Sequence, residues 1–265
     1  MHMEANKVLQ QNQSSWNAIA DEFFGVTALP EYGCLIPTET ELGLFDDVAG
    51  KRMLDIGCGS GHSLLYHGQR GAAELWGLDI SSRQLENAQG LLSENGYAPK
   101  LFHSPMEQNP GLPPGYFDVV YSIYAMGWTT DLKKTFQLVA SYLKPGGMFI
   151  FSWDHPFMHS VSPQQGEFSG MPPSATADGQ YVLDGGYLDN SPFSFLKNGM
   201  PMTVSNYKVS DYINALAAAG FCLERMVEET DAETLRRPAE FSSRYYAPSK
   251  AKLIPLSFVM KARKL

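Results

Sequence analysis

Residues 53–61 read Met53-Leu54-Asp55-Ile56-Gly57-Cys58-Gly59-Ser60-Gly61, and the fold is decided here. A short apolar run carries an acid, Asp55, into three glycines that alternate with small residues. Glycine has no Cβ, so a chain built this way can bend sharply and let a ligand rest on its backbone. The pattern predicts a strand that ends, turns beneath a ligand and opens a helix.

The glycine spacing separates ligand classes. A dinucleotide fingerprint needs Gly-x-Gly-x-x-Gly, with a pyrophosphate on the helix N-terminus. The last position of that pattern is His62 here, and Gly61 arrives one residue early. No Lys-Ser or Lys-Thr follows, so a phosphate loop is excluded as well. A carboxylate at Asp55 would repel a pyrophosphate and attract an ammonium. An adenosine ligand bearing a cationic amino acid therefore fits better than one bearing phosphates.

Three further stretches follow in order. Leu75-Trp76-Gly77-Leu78-Asp79-Ile80 is a short apolar strand ending in an acid. It lies about 20 residues past the glycines, where a doubly wound sheet places the carboxylate that grips ribose hydroxyls. Ser81 and Ser82 offer an N-cap to a helix over 83–92. Phe117-Asp118-Val119-Val120-Tyr121-Ser122 suits a strand buried on both faces. Leu143-Lys144-Pro145-Gly146-Gly147 ends a helix and reverses the chain into the strand Met148-Phe149-Ile150-Phe151.

These four stretches, within residues 50–153, resemble the ordered motifs of class I S-adenosylmethionine (SAM)-dependent methyltransferases, of the small-molecule type found in ubiquinone and menaquinone biosynthesis. The resemblance implies an α/β fold: a Rossmann-like, doubly wound seven-stranded sheet, mostly parallel with an antiparallel last strand, and helices on both faces. It implies SAM as cofactor and S-adenosylhomocysteine as product. By the same resemblance, Gly57 and Gly59 lie against the methionyl part of the cofactor and Asp55 orients the loop. Asp79 accepts the ribose hydroxyls, Ile80 packs on the adenine, and Ser122 sits beneath the methionyl chain. Much of the family has an acid where Pro105 stands, to hold the adenine amino group. Proline cannot do this, which leaves Met106 or Glu107 to take over. Aromatics of the N-terminal segment, Phe24 and Tyr32, are expected to close the pocket, since a π-face stabilises a sulfonium. Trp16 and Phe23 are expected to be ordinary core packing.

Composition narrows the partners. The chain has 265 residues and a formal net charge of -8, which disfavours nucleic acid. The C-terminal cluster Lys250, Lys252, Lys261, Arg263 and Lys264 reads as a solvated edge strand and tail. Cys34, Cys58 and Cys222 form no Cys-x-x-Cys pair, so neither zinc nor a disulfide framework is indicated. No apolar run is long enough to span a bilayer, and the polar opening segment carries no apolar signal. A cytoplasmic location is the resulting expectation; the oligomeric state stays open.

The organisation expected is one domain over 1–265. An N-terminal helical cap occupies 1–47, with a helix over 4–24 and another over 39–45. The stretch 155–206, rich in Pro, Gly, Ser, Met and aromatics without a sustained period, reads as an inserted segment that covers the substrate. A helix over 209–219 and strands over 221–228 and 254–261 complete the pattern. Trp153-Asp154-His155-Pro156 follows the fifth strand, at the sheet end where ligands bind. His155 is the candidate general base or acceptor anchor, with Asp154 orienting it. His159 lies four residues on, but no third ligand joins the pair, so no metal is expected. Tyr124 and Trp128 are placed in the acceptor pocket. Asp-Pro-Pro-Tyr and Asn-Pro-Pro-Tyr, which accompany nucleobase amino methylation, are absent after the fourth strand. The acceptor expected is a small, partly apolar molecule. An RNA methyltransferase on the same fold and a non-catalytic SAM-binding protein are the alternatives.

Overall fold

The structure, a computed structural model, describes residues 2–163, 181–183 and 185–265. Strands β1 (Arg52–Ile56), β2 (Glu74–Asp79), β3 (Lys100–His103), β4 (Phe117–Ser122) and β5 (Leu143–Asp154) run parallel; helices join successive strands except β3 and β4, which a loop over 104–116 connects. Within the inserted stretch lie β6 (Val161–Pro163), β7 (Tyr181–Leu183), β8 (Phe193–Lys197) and β9 (Met200–Val204). Strands β10 (Phe221–Val227) and β11 (Ser257–Lys264) finish the main sheet, whose order is β10-β11-β5-β4-β1-β2-β3. β11 is antiparallel to both its neighbours. This is the seven-stranded, mostly parallel arrangement that the resemblance implies.

Alternation along the strands sets the two faces. Leu54, Ile56, Val120, Phe149 and Phe151 point to one side, where they pack with α5 (Leu132–Tyr142) and α6 (Val209–Ala218). Met53, Val119, Tyr121, Met148 and Ile150 point to the other. There they meet α3 (His62–Gln69), Leu92 of α4 (Ser82–Glu94), and the loop from Leu29 to Val48 that includes α2 (Glu39–Leu42). Ser81 caps α4, its Oγ accepting from the Gln84 N–H at 3.2 Å.

Four differences from the sequence expectations have physical causes. The first helix, α1 (His2–Ile19), tightens into a 3-10 turn over Ala20–Phe23 instead of continuing to residue 24. Helix α2 stops at Leu42 because Gly43 takes the left-handed conformation that ends helices. The last strand starts at Ser257 rather than at 254, because the turn that follows α8 (Pro248–Ala251) holds the N–H groups of Leu253 and Ile254 on the Lys250 carbonyl at 3.0 and 3.1 Å; another short helix, α7, spans Ala232–Arg236. The basic cluster is not an edge. β11 lies between β10 and β5, and Lys250 is buried with its Nζ donating to the Met158 carbonyl at 3.0 Å.

The inserted stretch is partly regular. β8 and β9 form an antiparallel hairpin whose two-residue turn, Asn198-Gly199, has both φ angles positive. This hairpin docks on α1. The Asn12 side chain donates to the Thr203 carbonyl at 2.7 Å and accepts from the Thr203 N–H at 2.9 Å, as a neighbouring strand would. Residues 164–180 and 184 of the segment, Phe168 among them, lie outside the described residues.

Candidate active site

The C-terminal ends of β1, β2, β4 and β5 open into a cavity of about 570 Å³. At β1 the chain leaves the sheet through Gly57, whose φ is +76° and whose Cβ, if present, would lie 2.6 Å from the Ala125 Cβ. Both the angle and the approach require glycine. The N–H groups of Gly57 and Cys58 donate to the Leu78 carbonyl at 2.7 and 3.1 Å, which ties the bend to β2. Asp79 at the tip of β2 completes the tie. Its Oδ2 accepts from Gly59 N–H at 2.9 Å, and its Oδ1 accepts from Ser81 N–H at 2.8 Å.

Asp55 and Asp79 are both buried, and burial holds both carboxyls above their usual range, with the Asp79 charge adding to the effect at Asp55. Asp55 Oδ1, Gln84 Oε1 and Glu107 Oε2 are buried without a hydrogen-bond partner among the described residues. All three line the cavity. An enclosure whose unmet groups are all acceptors asks for a ligand rich in donors and positive charge. SAM carries an ammonium, ribose hydroxyls and an adenine amino group, so the residues present fit it. A pyrophosphate would meet carboxylates.

Asp55, Gly57, Gly59, Asp79, Ile80, Met106 and Glu107 all line this one cavity. Glu107 uses Oε1 to accept from the Thr130 N–H and hydroxyl at 2.8 and 2.6 Å, which fixes the carboxylate. Ser122 is not on the wall: its Oγ donates to the Ile56 carbonyl at 2.7 Å and braces β1 from behind. Two aromatic expectations are corrected. Tyr32 is 0% exposed, and its hydroxyl donates to Glu39 at 2.5 Å within the core. Phe24 is 48% exposed and stands edge-on to His62, off the cavity wall. Trp16 and Phe23, expected in the core, line the cavity instead.

Beyond β4 the wall becomes aromatic: Tyr124, Trp128, Trp153, Phe193, Phe195 and Tyr246. Trp153 reaches it only because residue 127 is glycine, where a Cβ would fall 2.0 Å from the indole. Tyr124 has φ +54°, a conformation that tyrosine rarely adopts, and its N–H donates to Ser152 Oγ at 3.0 Å.

The Asp154–His155 pair does not act together. Successive residues of an extended chain point to opposite sides, so only one can face the cavity. Asp154 does, and His155 does not. The His155 ring is held between Glu228, whose Oε2 is 3.1 Å from Nε2, and the Phe157 N–H, which donates to Nδ1 at 3.2 Å. It thereby caps the short 3-10 turn over Pro156–Ser160. Asp154 is 7% exposed; burial pushes its carboxyl up to about 6 despite the hydroxyls of Tyr124 and Tyr246, which both donate to it.

Lys197, Tyr246 and Gln84 join the wall without having been singled out from sequence. For Lys197 a signal exists: Asn198-Gly199 between apolar alternating runs marks a hairpin, which brings Lys197 over the sheet end. Tyr246 and Gln84 carry no local pattern.

Residues 54–151 match a family described as a methyltransferase domain. A Haemophilus influenzae protein described as uncharacterized is 28% identical over 236 residues, covering 87% of this chain and 88% of that one. The ubiquinone biosynthesis O-methyltransferase of Pectobacterium carotovorum is 34% identical over 110 residues, 42% of this chain, and the match spans only 44% of that relative's length. Among solved structures, an S-adenosylmethionine-dependent methyltransferase from Mesorhizobium loti superposes with a TM-score of 0.66 at 24% identity, covering 85% of this chain and 96% of the other. Among the described residues no helix is long and apolar enough to cross a membrane, and no cluster of His, Cys, Asp or Glu could hold a metal ion.

Proposed function

We propose that this chain, a class I SAM-dependent methyltransferase, passes the methyl group to a small, partly apolar acceptor by in-line displacement. One observation carries the reading: a single cavity joins the carboxylate-lined bend of β1 and β2 to the aromatic wall beyond β4. Donor and acceptor can therefore meet inside one enclosure, where the protein supplies orientation and excludes water.

SAM supplies a methyl already activated by a sulfonium. The residues hold and aim it. Asp79, fixed by two backbone N–H groups, has lone pairs left for the ribose hydroxyls. Gly57 and Gly59 leave room for the methionyl chain, and Asp55 Oδ1 offers its unmet oxygen toward the ammonium. Ile80 and Met106 would flank the adenine, and Glu107 Oε2 would take the adenine amino group in place of the acid missing at Pro105.

Screening a metabolite library for release of S-adenosylhomocysteine tests the reading. Turnover of at least one small acceptor is expected. Tight SAM binding with no turnover of small molecules would favour a binding protein, and turnover of RNA alone would favour the nucleic-acid reading.

A further inference from the structure

The acceptor side of the cavity holds a group of residues with a definite hydrogen-bond polarity. Asp154 Oδ1 accepts from the Tyr124 hydroxyl, and Oδ2 accepts from the Tyr246 hydroxyl at 3.0 Å. A tyrosine whose O–H is spent on a carboxylate turns its oxygen lone pairs outward. These three residues therefore present acceptor sites to anything beside them, and a guest must bring a proton. The cation of the same wall is Lys197, carried in by the β8–β9 hairpin. Its ammonium lies 4.4 Å from the Phe23 ring centroid and 5.3 Å from that of Trp16, and among the described residues it forms no ion pair.

This combination discriminates by charge. A protonated amine would suit the tyrosines and Asp154, but it would enter beside an unpaired ammonium in a low-dielectric pocket. An oxygen acid avoids this conflict when its proton is handed to Asp154: the carboxylate is neutralised as the acceptor becomes an anion, and Lys197 stabilises that anion. The walls of Trp128, Trp153, Phe193 and Phe195 suit a flat guest. We propose that Asp154, Tyr124, Tyr246 and Lys197 form an acceptor subsite that takes an acidic hydroxyl on a planar ring, a phenol or enol, with Lys197 rejecting amines. The proposal rests on the methyl-transfer reading above. In the step it implies, the acceptor oxygen forms the bond to the methyl carbon. The carbon–sulfur bond breaks with its pair on sulfur, cancelling the sulfonium charge. The acceptor proton passes through a tyrosine hydroxyl to the Asp154 carboxylate, and from there to solvent when the product leaves. Besides the two tyrosines, the groups whose charge acts on Asp154 are Lys197 and Lys250.

The probe is 4-nitrophenol, whose anion is coloured, added to the full chain saturated with S-adenosylhomocysteine. The bound probe should ionise about tenfold more readily than the free one, one pKa unit lower. Benzylamine should bind at least about tenfold more weakly than the phenol. Lys197→Met should abolish both effects, Lys197→Arg should keep them, and neither should move S-adenosylhomocysteine affinity by more than about twofold. Failure of nitrophenol to bind, an unshifted ionisation in the wild type, or preference for the amine overturns the subsite. So does a shift that survives Lys197→Met. If Lys197→Met does not fold, the wild-type measurements still decide. Absence of S-adenosylhomocysteine binding would instead overturn the methyl-transfer reading.

Discussion

The Asp79 carboxylate accepts from the Gly59 N–H at 2.9 Å, so the acid at the tip of β2 fastens the glycine bend that leaves its neighbour β1. One side chain thus shapes the loop and faces the cavity. Asp79→Ala should weaken SAM binding by about 1–3 kcal/mol, about 5- to 150-fold in Kd. Calorimetric titration checks this, and NADH titrated in parallel should show no comparable binding. An unchanged SAM affinity would remove Asp79 from the cofactor site.

Gly57 and Gly59 should not respond alike to alanine. Both have positive φ, +76° and +50°, so each substitution carries about 1–2 kcal/mol of backbone strain. At Gly57 the added Cβ also meets Ala125 at 2.6 Å, whereas at Gly59 the nearest atom, Gln84 Oε1, is 4.0 Å away. Gly57→Ala should lower the melting temperature more than Gly59→Ala. Equal losses would mean that strain alone accounts for both.

His155→Ala should leave catalysis almost intact. The ring's two nitrogens are engaged with Glu228 and the Phe157 N–H, away from the cavity. The expected cost is that of a lost helical cap, about 1 kcal/mol of stability, with SAM affinity and turnover within about twofold of wild type. A collapse of turnover in a variant that still folds and binds SAM would restore His155 to the chemistry.

His67 gives the fold an acid sensitivity. It is 0% exposed among Phe45, Tyr66 and Tyr121, and burial pushes its imidazole from 6.5 down to about 3. Between those values the unfolded chain binds a proton that the folded chain refuses. Its contribution is complete above 6.5 and is lost as the pH falls towards 3, at up to about 1.4 kcal/mol per pH unit. Asp55, Asp79 and Asp154 oppose this, since their raised folded values favour the folded state as acid is added. Comparing wild type with His67→Phe in denaturant melts at pH 7 and pH 5 isolates the histidine. The wild type should lose more stability than the variant over that interval.

The clasp between α1 and β9 is also open to test. Asn12 is buried and serves the Thr203 backbone at both its carbonyl and its N–H. Asn12→Ala strands two buried backbone groups, at a cost of about 1–3 kcal/mol each. Hydrogen exchange should rise in α1 and the β8–β9 hairpin together while β1, β4 and β5 stay protected. Uniform exchange across the sheet would show that the cover and the sheet are one cooperative unit.

What the sequence disclosed follows the range of the forces involved. Asp55, Gly57, Gly59 and Asp79 were legible because a bend between strand and helix imposes local rules on glycine and on the acid at a strand tip. The order of the motifs carried the sheet. The aromatic wall was less legible, because whether Phe23 or Phe24 faces the cavity depends on how the Ala20–Phe23 turn rotates after α1. His155 misled for a similar reason. Its position along the chain was right, but the two-residue alternation of an extended strand gave the inward place to Asp154. Lys197 was readable through Asn198-Gly199, whereas Tyr246 reaches the site through tertiary folding alone.

The placement of β11 between β10 and β5 has a consequence for synthesis on the ribosome. Residues 257–264 lie far downstream of β5, yet the backbone groups along that edge of β5 have no strand to pair with until they emerge. A nascent chain halted before them would expose a raw, strongly apolar border, so premature termination or slow translation late in the message should recruit holdase chaperones far more than an early pause would.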